Sequence, residues 1–357
     1  MAVLRVLTCQ HRRSPLNGIT IVRALLCPSP RKLALIEKPA PVAAPGAPLV
    51  RIRRAGVCGT DLHIFEGTQP YFEYPRVIGH ELGGEIAALA GPSRFRVGQQ
   101  VTVLPYVACG HCVACRRGKP NCCQHMNVIG VHSDGGFADW LVVPEDNLID
   151  AEGVSLDQAA MAEFLAIGAH AARRGAVEAG QKVAVVGAGP IGLATAIFAR
   201  ARGGDVTMLD TRTDRLAFAR QAIGVEHAIE AGPGARDRLG ALTGGDFFDC
   251  VFDCTGSPPA MNAGFYLVAH GGSYVLVSIV RGDITFADPE FHKRETTLLG
   301  SRNATVADFE TVFAALRSGA IATEALATHR ASLDEAAEAF PRWLDPANGV
   351  VKALIEI

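Results

Sequence analysis

The run from Lys182 to Asp210, KVAVVGAGPIGLATAIFARARGGDVTMLD, restricts this chain more than any other stretch. It reads as an apolar strand, the pattern Gly187-x-Gly189-x-x-Gly192, an apolar helix, a glycine break and a second apolar strand closed by an acid. Strands joined through a helix lie parallel in one sheet, so an α/β fold with a doubly wound parallel sheet is predicted. Gly187 permits a tight turn, Gly189 lets backbone N–H groups approach a pyrophosphate, and Gly192 lets helix and strand pack closely. The helix N-terminus, with Pro190 and Ile191, then faces the anion. Asp210, 18 residues after Gly192, falls where a carboxylate accepts from the adenosine ribose 2′-OH, which predicts NAD over NADP. Arg212 and Arg215 lie near the same ribose, and Arg215 is a further cofactor candidate. Two later apolar runs, FFDCVFDCTG and GGSYVLVSI, read as buried parallel strands. Ligands sit at the carboxyl ends of such strands, so Thr255, Gly256, Ser278 and Ile279 are expected to line the nicotinamide side. Cys250 and Cys254, inside the first run, read as small buried hydrophobes.

Cysteines concentrate in CGHCVACRRGKPNCC. Cys109, Cys112 and Cys115, with Cys122 or Cys123, have the short spacing that turns thiolates onto one Zn²⁺ at about 2.3 Å. The longer gap favours Cys123. A disulfide cluster is the alternative, but a chain without a secretory signal and with a dinucleotide motif suits a reducing compartment. Four thiolates leave no open position, so this zinc is structural. A second set is scattered through GVCGTDLH, GHE and MAEFLAIGAHA. Cys58, His80 and either Glu81 or Glu163 would supply three ligands and leave a fourth position open, as catalytic zinc requires. Spacing alone does not distinguish this from a buried cysteine, a satisfied histidine and surface acids.

With 357 residues, the chain is expected to form two domains. Charged residues are 20 % and the formal net charge is −2, which argues against a nucleic-acid partner. No apolar run reaches the ~20 residues that span a bilayer, so a soluble protein without a membrane partner is expected. Residues 1–21, basic and free of acids, read as an N-terminal extension, disordered or preceding the natural start, with Cys9 and His11 functionless. From Val22 the sequence reads as an opening hairpin.

Taken together, GVCGTDLH, GHE, the four-cysteine run, DGGFADWLVVP, the glycine pattern with Asp210 and the closing VVKALIEI resemble the zinc-dependent medium-chain alcohol dehydrogenases, in their polyol, sugar-acid and threonine branch. The likeness runs from about Val22 to the C-terminus. It implies a β-rich GroES-like catalytic domain formed by residues 22–164 and 302–357, and a Rossmann NAD-binding domain at 165–301. It implies two zinc ions per chain, one structural and one catalytic, with Cys58 and His80 as catalytic ligands. Glu163 stands where the alcohol dehydrogenases proper carry cysteine and the polyol branch carries glutamate, and Glu81 can also approach that metal. Phe164 replaces the proline usual after that glutamate. Thr60 would take the alcohol proton and pass it through the cofactor ribose to His63, while Asp61 would orient His80. Arg302 would contact substrate, with Glu73 and Asn303 as further polar candidates and Phe65, Tyr71 and Phe72 as walls. The implied reaction is hydride transfer from a secondary alcohol, a polyol or an L-gulonate- or galactonate-type sugar acid, to NAD. A threonine- or butanediol-type enzyme is the alternative. A catalytically silent NAD-binding zinc protein is disfavoured by Cys58, Thr60, His63 and His80 together. A cytoplasmic homodimer or homotetramer is expected.

Overall fold

A computed structural model describes residues 20–357. The reading of the N-terminal extension falls largely outside them, although the first strand, Ile21–Ser29, begins inside the segment assigned to it. That strand pairs antiparallel with Lys32–Pro39.

Six parallel strands form one sheet in the spatial order His227–Glu230, Asp205–Asp210, Lys182–Val186, Phe248–Asp253, Val268–Leu276, Thr297–Gly300. The order reverses between Lys182–Val186 and Phe248–Asp253, and the crevice opens there at the carboxyl ends, as in doubly wound sheets. Val183, Val185, Val251, Phe252 and Val275 are all fully buried. Their continuous apolar runs are needed because helices cover both faces of such a sheet.

A second, β-rich unit has the order Leu148–Asp150, Gln100–Val103, Glu81–Ala88, Leu49–Val57, Lys352–Glu356, Ala327–Ser332. The C-terminal strand Lys352–Glu356 therefore inserts beside Leu49–Val57, with Ala353 opposite Val57. Helix Leu156–Arg174 links the two units. It starts at Ser155, whose hydroxyl accepts from the Gln158 N–H. Its flanks touch Glu81–Ala88 on one side and helices Pro190–Ala201 and Val306–Arg317 on the other. One apolar core accordingly runs from Tyr106 and Phe164 through this helix to Val183 and Phe252.

The same helix carries a buried polar knot. His170 Nδ1 lies 2.9 Å from Asp308 Oδ2, and Arg173 Nε donates to Asp308 Oδ1 at 2.8 Å. Thr305 donates to Oδ2 from its N–H at 2.8 Å and its hydroxyl at 2.7 Å. Burial alone would push the Asp308 carboxyl up, but His170, Arg173 and Thr305 together hold it well below the usual carboxylate range. A depressed folded pKa contributes stability above the unfolded value of about 3.9 and loses it as pH falls further. Asp308→Asn should therefore be less stable than wild type at neutral pH, the difference shrinking as pH drops below about 4. Denaturation midpoints of both proteins across that range check it; a gap independent of pH would contradict it.

Candidate active site

The four-cysteine lobe is assembled by its own backbone. Cys112 Sγ lies 3.5 Å from Cys115 Sγ and 3.9 Å from Cys123 Sγ. Four sulfurs at about 2.3 Å around a tetrahedral ion sit about 3.8 Å apart, so the spacing fits zinc. N–H groups of Cys109 and His125 point at Cys123 Sγ at 3.2 and 3.3 Å, and that of Gln124 points at Cys112 Sγ at 3.5 Å. Donors of this kind favour thiolate; those from Cys115 and Gln124 bring the Cys112 thiol down to about 6. The structure groups Cys109, Cys112, Cys115 and Cys123, and leaves Cys122 exposed.

The second cluster lies at the base of the β-rich unit. Cys58 is the N-cap of helix Gly59–Glu66, and His80 and Glu81 lead into strand Glu81–Ala88. One ligand atom from each of Cys58, His80 and Glu81 lies within 4.8 Å of the others. Asp61 ties two of these positions together: Oδ2 accepts from the Cys58 N–H at 2.9 Å, and Oδ1 lies 3.7 Å from His80 Nδ1. Both Asp61 Oδ1 and His80 Nδ1 are buried without a hydrogen-bond partner. That is the fit expected when a cation at the other ring nitrogen orients the imidazole toward a supporting carboxylate. Burial works against charge on His80, yet Asp61, Cys58 and Glu163 hold its pKa well above the ordinary value.

Glu163 lies outside the close triad. Its carboxylate accepts from the Tyr106 hydroxyl, and burial first, then Glu81, push its pKa up against His80 and Tyr106. Glu81 in turn is gripped by Lys352, whose Nζ reaches both carboxylate oxygens at 2.6 and 2.7 Å. The ammonium also donates to the Val57 carbonyl at 3.2 Å and stands 4.5 Å above the Phe164 ring. Burial opposes the Lys352 charge, but Glu81, Cys58 and Glu163 raise its pKa. Gly56 makes room for this pair, since a Cβ there would come within 2.0 Å of Glu81 Oε2. Phe164 is thus part of a helix and forms a face of the Lys352 pocket.

Thr60 sits in the first turn of the Cys58 helix, and His63 is exposed on it, its Nδ1 3.2 Å from Thr68 Oγ1. Arg281 donates to the Thr68 carbonyl at 2.6 Å and so ties this helix end to the nucleotide unit. Arg302 is exposed beyond strand Thr297–Gly300. The expectation that Phe65 walls a pocket is corrected. It is 4 % exposed and packs edge-on against Phe340 at 5.9 Å, because its helix position faces the core. Phe72 packs on Tyr74, while Tyr71 is exposed.

At the glycine loop, Gly187 has φ 99°, and Gly189 caps helix Pro190–Ala201, with Pro190 and Ile191 in its first turn. A Cβ on Gly192 would lie 1.8 Å from the Gly187 carbonyl oxygen, whereas one on Gly189 would meet nothing within 4 Å. The loop is therefore closed behind and open in front, a cradle for a phosphate. Asp210 accepts from the N–H groups of Ala188 at 2.6 Å and Arg212 at 2.8 Å, which seats its carboxylate beside the loop. Thr255, Gly256 and Ser278 meet at the neighbouring strand ends, with Thr255 donating to Asp253 from its N–H at 3.0 Å and its hydroxyl at 2.9 Å. Arg215 donates to the Val350 carbonyl at 2.5 Å, and the Ile279 side chain is 73 % exposed. Cys250 and Cys254 are pushed up to about 12 by burial, which leaves them poor nucleophiles.

Two family profiles match this chain: the alcohol dehydrogenase GroES-like domain over residues 44–153 and the zinc-binding dehydrogenase domain over 190–318. L-galactonate-5-dehydrogenase of Escherichia coli K12 is 41 % identical over 342 residues, 94 % of this chain and 99 % of that protein. The chain belongs to the zinc-binding alcohol dehydrogenase family. It is a zinc- and nicotinamide-dependent oxidoreductase. A sorbitol dehydrogenase of Halalkalibacterium halodurans is 32 % identical, covering 85 % of this chain and 90 % of that protein. Among solved structures, the alcohol dehydrogenase rspB from Escherichia coli CFT073, complexed with NADH, superposes with a TM-score of 0.88 at 31 % identity, covering 94 % of this chain and 99 % of that one. For a zinc dehydrogenase, the sequence reading passed over Lys352, Tyr106 and the space left by Gly56. One signal was available: a lysine inside the apolar run VVKALIEI needs a buried partner.

Proposed function

We propose that this dehydrogenase oxidises a secondary hydroxyl of a sugar acid of the L-galactonate or L-gulonate type, ahead of a simple polyol, with NAD as hydride acceptor. The observation that supports the substrate class is the positive charge that Arg76 and Arg302 gather about His132. Beyond burial, Arg76 and Arg302 both lower the pKa of His132, with only Glu73 opposing them. Arg76 also donates to the Val131 carbonyl and stacks 5.4 Å over Phe72, so its guanidinium is fixed. Guanidinium groups suit a carboxylate. The L-galactonate enzyme among the relatives favours the same class.

Cys58, His80 and Glu81 or Glu163 would hold the catalytic zinc, which when bound supplies a Lewis acid that lowers the pKa of an alcohol. Lys352 offsets the negative charge of this donor set, and Asp61 orients His80. Thr60 accepts the alcohol proton and His63, at the surface, returns it to water, a proton-transfer duty that histidine commonly performs. Gly187 to Gly192 seat the pyrophosphate, and Asp210 selects a free ribose 2′-OH, hence NAD. The edge strand Thr297–Gly300, with Leu298 exposed, offers a second copy a place to add, giving a homodimer or homotetramer. The cysteines of the described residues are thiols, which suits the cytoplasm. Among the described residues no helix is long and apolar enough to cross a membrane.

A screen of NAD reduction over aldonates, polyols and amino-alcohols, paired with zinc analysis, tests this reading. The expected result is fastest turnover of L-galactonate or L-gulonate and two zinc ions per chain. Preference for L-threonine or butanediol would overturn the substrate class, and a single zinc would favour a silent NAD-binding protein.

A further inference from the structure

One side chain of the four-cysteine run meets the segment that follows the parallel sheet. Asn121 lies in the 3-10 turn Pro120–Cys122, two residues before Cys123, and is 7 % exposed. Its Nδ2 donates to the Arg302 carbonyl at 3.0 Å, and its own carbonyl accepts from Asn303 Nδ2 at 3.1 Å. These two bonds form a reciprocal clasp between the lobe and the chain that leaves the parallel sheet. Asn121 Nδ2 also lies 3.4 Å from Nε2 of His170, whose other ring nitrogen faces Asp308. Asn303 has φ 54°, a left-handed conformation that asparagine tolerates better than most residues. The backbone at 302–303 is thus held from both sides, while the Arg302 side chain is exposed. That backbone fixes the point from which the Arg302 side chain starts and the direction in which it leaves the chain.

We propose that Asn121 is a positioning residue for substrate binding: through its clasp on Arg302 and Asn303, the four-cysteine lobe fixes the arginine that meets the substrate's polar end. This rests on the reading of Arg302 as a substrate contact. An arginine on an unclasped turn must be ordered by the substrate itself, and that ordering is subtracted from affinity. A metal in the lobe acts on the same turn, because its ligand Cys123 follows Asn121 by two residues. The lobe then contributes to substrate affinity as well as to stability.

The test is steady-state kinetics with L-galactonate, or with sorbitol where L-galactonate is not turned over. The proteins are wild type, Asn121→Ala, Asn303→Gly, Arg302→Ala and the Asn121→Ala/Arg302→Ala double variant, each with its melting temperature. Asn303→Gly deletes the amide while glycine accepts the positive φ, so it opens the clasp a second way should Asn121→Ala not fold. Each clasp variant should raise KM about tenfold with kcat within about twofold, the pattern of lost uniform binding. The double variant should be no worse than Arg302→Ala alone, because residues acting as one unit are not additive. Effects that multiply, or a KM moved by Arg302→Ala but not by either clasp variant, would overturn the positioning role and leave the substrate reading intact. An unchanged KM in Arg302→Ala, or no turnover of either substrate by wild type, removes both.

Discussion

Lys352→Met should be the most damaging single substitution in this enzyme outside the metal ligands. It leaves Glu81 buried, with no cation against either oxygen that Lys352 now reaches at 2.6 and 2.7 Å. Breaking a buried ion pair from one side costs about 3–5 kcal/mol, because the remaining charge has lost water and partner alike. The variant should melt at lower temperature, and Glu81, freed from the ammonium, should move toward the Cys58 and His80 donors. Activity should fall with it, since Lys352 also offsets the charge of Cys58 and Glu163. Lys352→Arg keeps the charge and should lose less. Because the folded pKa of Lys352 is raised, the pair contributes fully below the unfolded value of about 10.4, and its contribution is lost only as pH climbs through the folded one. Denaturation with zinc analysis of both variants decides it. A Lys352→Met protein as stable as wild type, with its full zinc content, would show that the ion pair contributes nothing to the fold or to the metal site.

Gly192→Ala should weaken cofactor affinity by roughly tenfold to hundredfold while sparing both metal centres. The new Cβ would fall 1.8 Å from the Gly187 carbonyl oxygen, a backbone atom with no side-chain freedom to yield. Either the loop or helix Pro190–Ala201 must shift, and the N–H groups aimed at the pyrophosphate shift with it. Overpacking of this kind costs about 1–3 kcal/mol, or roughly tenfold to hundredfold in NADH affinity. Fluorescence titration with NADH reads the effect directly. Gly189→Ala is the control, since a Cβ there meets no protein atom and can interfere only with a bound nucleotide. Unaltered NADH binding by Gly192→Ala would mean that the loop relaxes freely and that the close packing is incidental.

Both predictions concern features of different legibility. The Gly187-x-Gly189-x-x-Gly192 pattern and Asp210 could be read from the chain because a βαβ crossover places them by local geometry alone. The central strands Lys182–Val186, Asp205–Asp210, Phe248–Asp253 and Val268–Leu276 were legible as apolar runs covered on both faces, whereas the edge strands His227–Glu230 and Thr297–Gly300 carry no such run. The four cysteines were legible for a similar reason, since short spacings leave one loop few ways to present its thiolates. Phe65 was misread for the opposite reason. It lies near a motif in sequence, but its direction is set by packing that the motif does not control, against Phe340, and the Val350 carbonyl that Arg215 meets is equally remote in sequence. Helix position 65 points inward toward the core, and the Arg215 helix lies against the returning C-terminal segment.

Sequence by itself therefore determined the local machinery: the phosphate cradle, the four-thiolate loop, the doubly wound sheet and the donor types of the second metal set. Tertiary structure alone brought Lys352 against Glu81, 271 residues away, beside the Cys58 and His80 donors. It alone revealed the clasp of Asn121 on Arg302 and Asn303, across 181 and 182 residues. Chain connectivity carries no record of such distant pairs; they come into being only when the C-terminal strand and the lobe close against the central helix and desolvate the groups between them.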